Sequence, residues 1–172
     1  MGAEERRARI LAALRGQGEA MSAAALAARM RVSRQVIVGD VALLRAQGNE
    51  IIATARGYMM AASLPAGRYV GKIACRHGFA DTEKELALIV ALGGEVVDVT
   101  VTHRLYGDMT GQLNIRTRED VDEFMKNIKN SKERLLSELT GGVHLHTVAC
   151  RDRAAFEAVC DELARIGILL QE

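Results

Sequence analysis

No uninterrupted apolar run in the 172 residues approaches the roughly 20 that a membrane-spanning helix needs. The opening Met1-Gly2-Ala3-Glu4-Glu5-Arg6-Arg7 lacks the apolar stretch of a secretory signal. Both absences predict a cytoplasmic chain with no membrane partner. Cysteine is scarce: Cys75, Cys150 and Cys160 are odd in number and show no C-x-x-C spacing. A disulfide framework is not expected, and the three read as small buried hydrophobes in a reducing compartment. Proline occurs once, at Pro65, within a short linker expected over residues 61–67. Lysine is missing from residues 1–62, where nine arginines against five acids give +4. Residues 63–172 hold fourteen basic and seventeen acidic residues, giving −3. The overall +1 thus conceals a basic front and a mildly acidic body, which points to nucleic acid at one end only.

What is present divides into two modules. In residues 1–62, three helical stretches precede Gly48. Residues 4–14 place Ile10, Leu11 and Leu14 on one face, Ser22 caps a second helix carrying Leu26 and Met30, and Ser33 caps a third. The third repeats Ile37, Val41 and Leu44 at i, i+4, i+7. The two- or three-residue joint at Arg31-Val32 is what a helix-turn-helix requires. The second helix of such a pair meets DNA with its N-terminal end, here Ser33-Arg34-Gln35. Arg bonds guanine bidentately, Gln bonds adenine, and a helix N-terminus suits phosphate. Gly39 costs that helix ~1 kcal/mol of propensity, a cost that close approach of a backbone would justify. Residues 50–60 read as a hairpin around Arg56-Gly57, a wing from which Arg56 reaches phosphate. This stretch, with Asp40-Val41, Arg45 and Gly48, resembles the winged helix-turn-helix of bacterial repressors. The expected DNA-binding set is Ser33, Arg34, Gln35, Arg45 and Arg56.

Residues 68–172 mix strand and helix patterns into an α+β domain of about 100 residues. Strands are expected over 69–75, 95–103, 111–116, 143–150 and 168–170. Helices are expected after Asp81, after the capping box Thr117-x-x-Asp120, over 131–139 and after Asp152. Residues 95–103 alternate, with Val97, Val99, Val101 and His103 on one face. All four histidines fall in this module. His144 and His146, at i and i+2 on a strand, project side by side as a two-nitrogen metal site. Two imidazoles are too few for tight binding, so further ligands must come from elsewhere in the fold. His77 follows the first strand, and periodicity does not choose between Glu83 and Glu85. His103 reads equally as a structural residue or as one facing a ligand pocket.

The stretches Arg76-His77, Val101 to Gly107, Arg118 to Phe124 and Leu139 to Thr147 are similar to those of the nicotinate-responsive repressors. That family joins a winged helix-turn-helix to a three-histidine (3H) domain. The resemblance implies a divalent metal, zinc or nickel with iron as the third choice, held by His77, Glu85, His144 and His146. It is the resemblance that selects Glu85. Cys75, two residues before His77, is a lesser alternative ligand. Arg104 departs from the proline usual in the family, and either holds a ligand carboxylate or is solvated. His103, Arg104 and Tyr106 are the candidate ligand contacts.

The function these readings predict is a non-enzymatic, homodimeric repressor of niacin-uptake or NAD-synthesis genes. It would bind a double-stranded DNA operator with nicotinic acid as co-repressor. The alternative is a regulator for which the metal is itself the signal. A metal-dependent hydrolase fused to a DNA-binding segment lacks a separate nucleophile or general base.

Overall fold

A computed structural model describes residues 2–16, 19–54, 56–61 and 67–171. The chain divides into two units, Met1–Leu64 and Pro65–Glu172. Pro65, most of the expected linker, and Gly18, expected with Gly16 to end the first helix, lie outside the described residues.

In the first unit, helices α1 (Ala3–Arg15), α2 (Ala23–Met30) and α3 (Arg34–Ala46) precede a hairpin of β1 (Ile51–Thr54) and β2 (Gly57–Met60). Ser22 Oγ accepts from Ala25 N–H, and Ser33 Oγ accepts from Val36 N–H, so both serines cap as expected. Between α2 and α3 the chain turns at Arg31, which is left-handed with φ 56°. Ile10, Leu14, Leu26, Met30, Ile37, Val41, Leu44 and Ile51 form one buried cluster. The side chains at the helical spacing of α3 thus face inward, and its other face stays open. Buried Asp40 draws in Arg6 Nε at 2.5 Å and Arg7 Nη1 at 3.7 Å, tying α1 to α3. Gly57, at φ +134°, lies against Met21, whose carbonyl oxygen would stand 2.2 Å from an added Cβ. Glycine there lets β2 pair with Met21 through Tyr58.

In the second unit, β3 (Tyr69–Arg76), α4 (Thr82–Ala91), β4 (Glu95–His103), β5 (Gly107–Ile115), α5 (Arg118–Asn130), β6 (Val143–Cys150) and α6 (Arg153–Arg165) follow in order. Two 3₁₀ turns, Phe79–Asp81 and Leu136–Thr140, precede α4 and β6. The four strands form one antiparallel sheet in the order β3-β6-β4-β5. Its core joins Ile73, Val96, Ile115 and Val148 of the sheet to Leu86, Ile89, Val121, Met125, Val159 and Leu163 of the helices. The Thr117–Asp120 capping box forms, and Asp152 caps α6 by accepting from Ala155 N–H.

Four local expectations are corrected. Residues 131–139 do not make a helix; only the 3₁₀ turn Leu136–Thr140 forms, closed by left-handed Gly141. Residues 168–170 contribute a single bridge, Leu169 to Cys75, rather than a strand. Asp81 makes no side-chain cap, because it ends a 3₁₀ turn in helical conformation. The alternation of β4 breaks at a bulge between Val96 and Asp98, so the buried valines are Val96 and Val101, with Val97 the extra residue.

Candidate functional site

In the first unit, α3 presents Arg34, Gln35, Val38, Gly39 and Ala42 on its exposed face, opposite Ile37, Val41 and Leu44. Nothing lies within 4 Å of where a Gly39 Cβ would stand, so no backbone among the described residues explains that glycine. Ser33 and Arg31 are exposed at the N-terminal end of α3, and Arg56 is exposed in the turn of the hairpin. Arg45 is placed differently. Its Nε donates to the Ile51 carbonyl at 2.7 Å, and its guanidinium lies 5.9 Å above the Tyr58 ring. That arrangement fastens α3 to the hairpin. Val38 and Ala42, not singled out in the sequence, are exposed apolar side chains of this face.

In the second unit, three histidine rings converge on one carboxylate. His77 follows the end of β3, Glu85 sits in the first turn of α4, and His144 and His146 share the inner face of β6. Glu85 Oε2 lies 2.7 Å from His77 Nε2 and 3.4 Å from His146 Nε2, and Glu85 Oε1 lies 3.3 Å from His144 Nε2. The Glu85 side chain is 1 % exposed and none of the rings exceeds 4 %. Glu83, 41 % exposed, instead pairs with Arg118.

The opposite ring nitrogens fix the chemistry. Each Nδ1 faces a backbone carbonyl at 2.8 Å: Gly78 for His77, Gly142 for His144, and Asp98 for His146. A carbonyl only accepts, so each Nδ1 carries the proton and each Nε2 of a neutral ring is a bare lone pair aimed at the carboxylate. Lone pairs facing a carboxylate repel unless positive charge lies among them. Three imidazoliums around one carboxylate would bury a net +2, whereas one dication with neutral rings leaves +1 and satisfies every donor. The donor set of three nitrogens and one carboxylate, each nitrogen backed by a carbonyl, fits a divalent metal.

Local backbone features build this convergence. The β4 bulge presents the Asp98 carbonyl to His146 and the Asp98 carboxylate to Thr147 N–H. Gly142, at φ +89°, runs so close to His77 that an added Cβ would meet its carbonyl oxygen at 2.4 Å. Its own carbonyl accepts from both His77 N–H and His144 Nδ1. With protonated rings in place of a metal, burial works to raise the Glu85 carboxyl, but hydrogen bonds from His144, His146 and His77 hold it well below its ordinary value. Burial works against charge on His77 and His146, yet Glu85 outweighs it and holds both above the ordinary imidazole value. Buried Cys75 places its Sγ, a Glu85 oxygen and a His144 nitrogen all within 4.8 Å of one another. Burial, and then the Glu85 charge, push its thiol far up.

His103, Arg104 and Tyr106 are not brought to this cluster. They form the tip of the β4–β5 hairpin, where the His103 and Tyr106 rings stack at 5.1 Å and His103 Nδ1 accepts from Leu105 N–H. His103 lies four residues beyond Val99, the partner of His146, which is about 13 Å along the strand.

Beside the cluster lies a cavity walled by Leu86, Val99, Leu113, Phe124 and Leu136, with the three histidines and Glu85 at one side. Among the described residues no helix is long and apolar enough to cross a membrane.

Residues 6–59 match an HTH domain family, and residues 70–172 match the 3H domain family. The chain is 41 % identical to "Transcription repressor NadR" of Bacillus subtilis (strain 168), over 100 % of this chain and 96 % of that protein. It is 37 % identical to "Probable transcription repressor NiaR" of Thermotoga maritima, over 98 % and 95 %. With the exposed helix-turn-helix face in one unit and the histidine cluster in the other, this is a DNA-binding regulator rather than an enzyme, and the chain belongs to the NadR/NiaR family of 3H-domain transcription repressors.

Proposed function

We propose that this protein represses genes of niacin uptake and NAD synthesis. It acts as a cytoplasmic homodimer on a palindromic operator, with nicotinic acid as co-repressor and a divalent metal, zinc or nickel before iron, in the sensor unit. The single observation that carries the sensor reading is the convergence of three carbonyl-backed histidines on Glu85. His77, Glu85, His144 and His146 would hold the metal, which when bound supplies positive charge and a Lewis-acid centre for an acceptor ligand. Ser33, Arg34 and Gln35 would meet the operator in the major groove, with Arg56 on the phosphate backbone. Arg45 is left to its structural contact with Ile51.

Electrostatics supports the dimer. Of the nine arginines in the front unit, Arg6 and Arg7 are drawn to Asp40 and Arg9 to Glu5. One unit therefore neutralises few phosphates, and two joined copies are needed for useful affinity.

The test is operator binding by fluorescence anisotropy, titrated with nicotinate and nicotinamide, with and without chelator. Tightening by nicotinate on metal-loaded protein supports the reading. No response to either compound removes the effector. The complete donor set within one chain also suits a metal-signalled regulator. In that case chelation alone switches DNA binding.

A further inference from the structure

Among the described residues, two buried side-chain polar atoms lack a hydrogen-bond partner, Thr82 Oγ1 and Asn114 Nδ2. Thr82 is 6 % exposed and lines the cavity that also borders His77, Glu85, His144 and His146. A buried hydroxyl without a partner is unfavourable, and such groups in native proteins call for an explanation. Its position opens the first turn of α4, three residues before Glu85.

The cavity restricts what can answer that hydroxyl. About 40 Å³ is open to the centres of water molecules. A single small ring is of that size, whereas a nucleotide is far larger. Six apolar side chains, Leu86, Val99, Leu113, Phe124, Leu135 and Leu136, favour a ring over a sugar. One pole is the metal-binding cluster, which carries net +1 with a dication and neutral rings and so favours an anionic or electron-rich acceptor. The other polar feature is the Thr82 O–H, which can donate to a second acceptor.

We infer that this cavity is the effector pocket, and that Thr82 is its specificity-determining residue. The ligand is a single-ring compound with two acceptors, one directed to the metal cluster and one receiving the Thr82 hydroxyl. This rests on the nicotinate reading above, and a pyridine carboxylate meets both requirements. Benzoate, with the same ring size and no ring nitrogen, meets only one. The assignment moves the effector contacts away from His103, Arg104 and Tyr106, which lie outside the cavity.

The experiment is calorimetric titration of the metal-loaded full chain with nicotinate and with benzoate, using wild type, Thr82→Val, Thr82→Ser and Leu136→Trp. Metal content is read by native mass spectrometry and stability by thermal melting. Expected is one nicotinate per chain, with benzoate weaker by at least about tenfold. Thr82→Val weakens nicotinate by about 10- to 100-fold, with metal retained and melting temperature in the absence of ligand no lower than wild type. A merely structural threonine would instead lower that melting temperature. Thr82→Ser stays within about threefold of wild type, and Leu136→Trp, which fills the cavity, abolishes binding. Wild-type nicotinate affinity in Thr82→Val, or benzoate binding as tightly as nicotinate, overturns the Thr82 assignment while leaving the nicotinate reading intact. No nicotinate binding by metal-loaded wild type overturns both.

Discussion

Replacing Gly142 by alanine should disable the histidine cluster without touching any candidate ligand. The added Cβ would stand 2.4 Å from the His77 carbonyl oxygen and 3.1 Å from its carbonyl carbon. Restoring a contact of 3.0–3.4 Å requires roughly 0.6–1 Å of displacement of the His77 backbone. Gly142 also holds φ +89°, which adds about 1–2 kcal/mol of strain for a residue with a Cβ. Binding constellations tolerate about 0.5 Å of error, so His77 Nε2 should leave the shared centre and metal affinity should fall by at least about tenfold. Competition with a chromophoric chelator measures that affinity. Gly141→Ala is the control: its φ is +63°, but nothing lies within 4 Å of the new Cβ. It should lose about 1–2 kcal/mol of stability and keep its metal. Equal metal affinity in Gly142→Ala and wild type would refute the argument that this close approach sets the cluster geometry.

Four further outcomes are expected. Arg34→Ala or Gln35→Ala should each cost about 1–3 kcal/mol of discrimination against a wrong base, read by anisotropy on operator variants. Arg45→Ala should instead lower the thermal stability of the front unit by about 1–2 kcal/mol, through loss of the Ile51 hydrogen bond and the Tyr58 stacking. In chelated protein, raised His77 and His146 contribute stability that is complete below about pH 6.5 and is lost as pH climbs through their raised values. Lowered Glu85 contributes stability present above about pH 4.5 and lost as pH falls through its depressed value. Metal needs neutral rings, so the melting-temperature gap between loaded and chelated protein should widen with rising pH, and a constant gap would contradict the cluster chemistry. Cys75→Ala should keep one metal per chain, because the four His and Glu donors remain; loss of metal by mass spectrometry would place Cys75 in the ligand set.

Local rules in the sequence determined much of this protein. Serine caps at positions 22 and 33, the Thr117–Asp120 box and the i, i+4, i+7 spacing of Ile37, Val41 and Leu44 act within one or two helical turns, so the helix-turn-helix was legible directly. The i, i+2 spacing of His144 and His146 likewise fixed their common face, since a strand alternates with period two. Tertiary structure decided what depends on distant neighbours. The β4 bulge is invisible in an alternating valine pattern, because it arises from pairing with both β5 and β6. Glu83 and Glu85 are chemically alike and border opposite edges of one helix face; only the packing of α4 over the sheet buries one of them against three imidazoles. Arg45 shares its helix with Arg34 and Gln35, and only the folded hairpin offers its Nε the Ile51 carbonyl. His103 lies on β4, which pairs with the β6 strand of His144 and His146, but too far along it to reach them. The sequence determined which chemical groups the chain carries and their local geometry. Pairing of β3 with β6 and packing of α4 determined which of those groups meet, because contacts between residues 60 positions apart carry no local periodicity to read.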